Sequence, residues 1–179
     1  VCADMADKEP SSEKTESSVI ILFKNSQAYY DFVPIYSDAS IIGNRAGRRL
    51  DWKTLNERWT ENFALYMPFY SSFLARNLLV LDQKAYPDFG KIKPTFFVQD
   101  HSLPFDQLIK ESVDKYTSTE GYDKQLAHQI YYYRDADFTK HQTIQCINRR
   151  TTLDKPNLEH YGSDEFSYES YLRAIGKTL

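Results

Sequence analysis

The sequence has two cysteines, six glycines and no long apolar run, and each scarcity removes a class of protein. Two cysteines, Cys2 and Cys146, cannot frame a disulfide scaffold, although they could make one bridge. Neither sits in a Cys-x-x-Cys pair, and His101, His128, His141 and His160 are scattered with no His-x-x-x-His spacing. Metal sites gather three or four such ligands, commonly at close spacing, so no metal is expected. Neither the dinucleotide fingerprint nor the P-loop spacing of glycines occurs, so no cofactor is expected either. The most apolar stretch, Phe63 to Leu81, is broken by Pro68, Ser71, Ser72, Arg76 and Asn77. It falls short of the roughly 18 apolar residues that span a bilayer, which leaves a soluble chain or a peripheral one. Basic excess is also missing, with 22 Lys and Arg against 25 Asp and Glu and a net charge of −3. Binding to phosphates by counterion release needs such an excess, so nucleic acid is not an expected partner.

What is present is aromatic. Tyr and Phe number 14 and 11, and aromatic residues make up 15% of 179 residues. Tyrosine joins an apolar ring to a polar tip, and aromatic side chains are enriched at the cores of interfaces. A biased composition would explain the same count. The chain begins Val1-Cys2-Ala3-Asp4 without Met, as a processed precursor or a trimmed chain would, imported into an organelle or exported. Residues 1–18 are polar and charged, too poor in apolar side chains to fold alone. They read as an arm held by a disulfide, by a groove of the same domain or by another chain, ahead of a domain over 19–179.

Val19 to Phe23 is a short continuous apolar run rich in β-branched residues and reads as a buried strand. Asn25 or Ser26 can cap a short helix through Tyr29, Tyr30 and Val33, stopped at Pro34. Trp52, Leu55, Trp59, Phe63, Tyr66, Tyr70 and Phe73 recur every three or four residues, as on one face of a long helix kinked at Pro68. Leu78 to Leu81 and Thr95 to Val98 read as strands. Ser102 can cap a helix with Pro104 in its first turn and a stripe of Phe105, Leu108, Ile109, Val113 and Tyr116. Gln129 to Arg134 and Thr143 to Ile147 read as paired strands around the loop 135–141. Ser163 can cap a last helix through Tyr168, Tyr171, Leu172 and Ile175, ended by Gly176. The whole is α+β: a mixed sheet of about four or five strands packed by amphipathic helices.

The stretch from Leu78–Leu81 through Ile92-Lys93-Pro94-Thr95-Phe96-Phe97-Val98 to the Ser102 helix resembles half of a thioredoxin-like domain, in which a Pro-Thr pair precedes an apolar strand. The resemblance covers about 40 residues and implies a fold only, because the Cys-x-x-Cys that gives that family its redox activity is absent.

Several clusters could carry chemistry. Cys146 lies near His128 and His141, yet its strand-like surroundings suit a buried thiol or a partner for Cys2. Asp135 and Asp137 would face the same side of an extended chain, and in a polar loop they read as turn residues. The most suggestive stretch is Gly43-Asn44-Arg45-Ala46-Gly47-Arg48-Arg49. Glycines let backbone N–H groups converge on an anion, and Arg45, Arg48 and Arg49 could fork onto phosphate or carboxylate. If Asp51 caps the next helix, that loop sits near a positive helix end. The same arginines could instead meet an acidic partner, or simply be solvated.

Together these readings favour a non-enzymatic protein–protein interaction domain, an accessory subunit of a larger assembly, with other protein chains as partners. The alternative is an exported periplasmic or surface protein that binds a ligand or acts as an inhibitor or immunity protein, which a Cys2–Cys146 bridge would suit. An enzyme with a site assembled only in three dimensions would draw on Arg45, Arg48, His141 and Asp137.

Overall fold

A computed structural model of the protein describes residues 2–4, 16–42, 49–79, 85–154 and 163–177. Its elements run β1 (Cys2–Asp4), β2 (Glu16–Ser18), β3 (Ile20–Phe23), α1 (Gln27–Ile42), β4 (Arg49–Asp51), α2 (Trp52–Arg58), β5 (Phe63–Met67) and α3 (Phe73–Leu79). Then come β6 (Thr95–Val98), α4 (Asp106–Glu120), β7 (Asp123–Leu126), α5 (Phe138–Arg149) and α6 (Tyr168–Ala174). The fold is α+β, as the alternation of elements implies. Contacts gather in two compact units, Val1–Val98 with Leu108–Gln125, and Gln99–Gln107 with Leu126–Leu179.

The first unit is built on a mixed sheet in the order β3-β5-β6-β7. β3 runs antiparallel to β5 and β6 parallel to it, with Ile21 opposite Leu65, Phe23 opposite Phe63, and Phe96 opposite Met67. Alternation sends Phe63, Leu65, Met67, Phe96 and Val98 to one face, where all are buried. Helices cover that face. Phe32 of α1 packs 5.2 Å from Phe23, Phe73 of α3 6.2 Å from Phe96, and Tyr116 of α4 5.7 Å from Phe96. A second sheet, β2-β1-β4, holds the described part of the leading arm, with Ala3 opposite both Ser17 and Leu50.

Several expected elements come out differently. The long helix over 52–73 is instead α2, a turn and β5. Phe63-Ala64-Leu65-Tyr66-Met67 satisfies a two-residue period as well as a helical one, and pairing with β3 and β6 on both sides decides for the strand. Asp51 does cap α2, its carboxylate accepting the Thr54 N–H at 2.6 Å. Leu78 and Leu79, expected in a strand, end α3, whose Ser72 hydroxyl accepts the Ala75 N–H. Val80 and Leu81 lie outside the described residues, and so the first strand of the thioredoxin-like stretch is a helix end wherever it is described. Pro34 does not stop α1, which runs on to Ile42. A proline inside a helix costs about 3 kcal/mol. Burial of Ile35, directly after it, and of Ala39, about one turn further on, both on the stripe of Ala28, offsets that cost. Asn25 caps this helix, its Oδ1 accepting the Ala28 N–H at 3.0 Å.

In the second unit, Thr143 to Ile147 lies within α5 and is no strand. Residues 129–134 are extended, yet their partner is the segment before α6. Tyr131 donates to the Phe166 carbonyl and Tyr168 to the Tyr132 carbonyl, both at 2.9 Å. The cap of α6 is Ser167, which accepts the Ser170 N–H at 2.8 Å, rather than Ser163. Ser163 instead donates 2.5 Å to the His101 carbonyl. Likewise Ser102 does not cap α4. Asp106, the first residue of α4, ties the preceding loop to the helix start, its carboxylate accepting the N–H groups of His101 at 2.8 Å and Leu103 at 3.0 Å.

Candidate interaction surface

α1 is a surface helix with almost no charge. Of its 16 residues only Asp31 and Asp38 are charged, and both are engaged within the first unit. Asp31 accepts from Asn62 at 2.7 Å, Thr60 at 3.0 Å and Gln27 at 3.0 Å, and these bonds, Asn62 foremost, hold its carboxyl below the usual range. Asp38 pairs with the Arg58 Nε at 2.5 Å. What the helix turns to solvent is uncharged: beside Ser37 and Ser40, Tyr29 is 60% exposed, Tyr30 67%, Val33 47% and Ile41 74%. Tyr29, Tyr30, Val33 and Tyr36 recur at three- and four-residue steps and form one stripe. Tyr29 and Tyr30 meet edge to face at 5.6 Å, and Tyr36 continues to Phe32 at 6.2 Å. An ordinary surface helix puts charged residues on its outer face. Here that face has the composition of an interface core, rich in tyrosine and depleted in charge.

The sheet repeats the pattern. Opposite its helix-covered face the strands β3, β5 and β6 present Ile20, Leu22, Ala64, Tyr66, Thr95 and Phe97, none charged and each half-buried or exposed, whereas β7, exposed throughout, carries Asp123 and Lys124. Tyr66 and Phe97 stack at 4.9 Å in its middle. β3 is an edge strand, and such edges usually carry charge or proline to discourage pairing. Ile20-Ile21-Leu22-Phe23 carries neither.

The second unit gathers rings of another kind. His101 is fully buried, stacks on Phe166 at 4.0 Å and lies 4.4 Å from His128. Burial, aided by His128, drives its pKa down to about 4, so the ring is neutral at physiological pH. His141 stacks on Tyr131 at 5.0 Å and is also lowered by burial. Beside them Asp135 accepts from Ser167 and from the Arg173 guanidinium at 2.5 Å, and these bonds, Ser167 foremost, lower its pKa. The arrangement fixes the start of α6 and the extended chain next to it. Among the described residues no three His, Cys, Asp or Glu side chains converge as metal ligands.

The residues singled out from sequence fare unevenly. Arg45 and Arg48 lie outside the described residues, and Arg49 is described only as the backbone that opens β4 opposite Cys2. Asp137 leads into α5 and pairs with Lys140 at 2.6 Å, while His141 stands a turn further on. Cys146 is buried on α5, and the side chain of Cys2 lies outside what is described, so their pairing stays an expectation. The α1 stripe was missed because Tyr29, Tyr30 and Val33 read equally well as the buried face of a helix ending at Pro34. The signal that could have found it is the lack of any Lys, Arg or Glu between Gln27 and Ile42.

No protein-family model matches the chain. It is similar to the DNA polymerase III subunit alpha of Thermus aquaticus, with 24% identity over 154 residues. The likeness takes in 82% of this chain but only 12% of that subunit, so the chain spans about an eighth of the length of the relative it matches.

Proposed function

We propose that this chain is a non-enzymatic protein-interaction region of a multi-subunit assembly, and that the outward stripe of α1 is where it meets another polypeptide. The observation that carries the reading is the stripe itself: Tyr29, Tyr30, Val33 and Tyr36 exposed together on a helix whose two charges are spent inward. Contiguous apolar surface of this kind marks interaction sites, and rigid tyrosines supply contact area at low entropic cost. The uncharged face of β3, β5 and β6, with β3 at the sheet edge among the described residues, is of the same character and offers a further place for contact. The small share of the DNA polymerase III subunit that is matched gives no ground for carrying polymerase chemistry across.

The test is purification of the tagged chain from its native source, with mass measured by light scattering. A stoichiometric second polypeptide should accompany the wild type, and Tyr30→Glu with Val33→Glu should release the chain alone at 21.0 kDa with its circular dichroism unchanged. A wild type that elutes alone, or a double variant that keeps the same companion, would remove the proposal.

A further inference from the structure

A cavity of about 840 Å³ opens in the first unit between α3, the 85–89 segment and α4. Its volume suits a small organic ligand. Its walls are aromatic. Tyr86 and Tyr116 lie nearly parallel at 5.9 Å, Tyr116 and Tyr122 are 6.0 Å apart, and Phe89 meets Tyr122 edge-on at 5.6 Å. Its charge is acidic. Asp88, Glu111 and Glu120 line it against Lys115, and three carboxylates less one ammonium leave two negative charges. The negative potential is felt by the rings themselves. Burial first pushes the phenols of Tyr116 and Tyr122 above their usual pKa; Tyr122 and then Glu120 add to the effect at Tyr116, and Glu120 and then Asp88 at Tyr122. Both therefore stay neutral, with their electron-rich faces intact.

We propose that this cavity binds an organic cation, an ammonium or guanidinium group on an apolar body, seated against the Tyr86 and Tyr116 rings and balanced by Asp88 and Glu120. An aromatic face attracts a cation through its quadrupole, and more so when water is displaced. Leu74, Leu78 and Leu108 supply apolar lining for the remainder of the ligand. An anion would meet a net negative rim. A bare metal ion needs several oxygen ligands together, and among the described residues no three carboxylates converge as such a set. The site shares no residue with the α1 stripe, so it stands or falls separately from the interaction reading.

The experiment compares choline with dimethylbutanol, its uncharged carbon isostere, by amide chemical shifts of the labelled protein. Choline should shift residues 86–89 and 112–122 and bind about two- to fivefold tighter than the isostere, the scale of one exposed cation–π contact. Tyr86→Leu keeps apolar volume and removes the quadrupole, and Glu120→Gln removes a charge. Each should weaken choline about threefold or more and leave the isostere unchanged. Tyr86 is 56% exposed, so its replacement should leave the fold intact, which thermal melting verifies. A second arm adds a capped Leu-Arg-Leu peptide. Competition with choline at the same residues means the cation can be a partner's side chain, and binding of choline alone means a free small molecule. Equal binding of choline and its isostere, shifts elsewhere, or indifference to both substitutions would overturn the proposal.

Discussion

Lowering the pH from 7 to 4.5 should destabilise the second unit, chiefly through the His101 imidazole. His101 is fully buried and stacked on Phe166, and its pKa falls from 6.5 to about 4. Because the folded value is depressed, this residue's contribution is fully present above pH 6.5 and is lost as pH falls towards 4. In that window the unfolded chain takes up a proton that the folded one refuses. Each pH unit costs about 1.4 kcal/mol, so two units cost roughly 2.5 kcal/mol once partial protonation near the lower limit is allowed for. Asp100 and Asp106 favour the charged form and His128 opposes it, and the net value already includes them. With a urea dependence of about 1–3 kcal/mol per molar, the midpoint should drop by about 1 M or more. The assay is urea unfolding at pH 7, 5.5 and 4.5 on the wild type and on His101→Gln. The variant should start less stable, having lost the stack on Phe166, and should fall less steeply. Equal slopes for the two proteins would refute the argument.

Other expectations follow from packing. Ile35→Ala, which empties a fully buried position on the inward side of α1, should cost about 2–5 kcal/mol by urea unfolding, whereas Tyr30→Ser on the same helix should cost under about 1 kcal/mol. Asp51→Ala removes the carboxylate that caps α2 and should cost about 1 kcal/mol by the same measurement. Gly90→Ala should destabilise measurably in thermal melts, because Gly90 has φ of +54° and an added Cβ would stand 2.7 Å from the Asn56 Oδ1. Arg173→Ala breaks an exposed pair with Asp135, and its effect should stay under about 1 kcal/mol.

The sequence made the fold class legible wherever one period dominated. Ile20–Phe23 is a strand, although a largely exposed edge strand and not the buried one its apolar run implied; Thr95–Val98 is a strand, and the helix holding Ile109 and Val113 and the helix end at Gly176 stand where their patterns put them. It misled where two periods coexisted. Phe63, Tyr66, Tyr70 and Phe73 keep helical spacing, yet long-range pairing to β3 and β6 makes 63–67 a strand, and no local window contains that information. Thr143–Ile147 has β-branched residues at three of its positions when read with its neighbours, but its burial is that of a helix touching the core through Cys146. The tyrosine excess pointed to contact surface without saying which tyrosines. Tyr29 and Tyr30 face solvent, while Tyr116 and Tyr122 line a cavity, and only the fold separates them.

Photo-crosslinking in native cells bears most directly on the contact surface. A benzophenone side chain would replace Tyr30, on the α1 stripe, or Gln125, on the exposed edge strand β7. Position 30 should give one discrete adduct with another polypeptide, lost when Val33→Glu is added, and position 125 should give none. Equal labelling from both positions, or none from position 30, would contradict the claim that α1 is a contact surface.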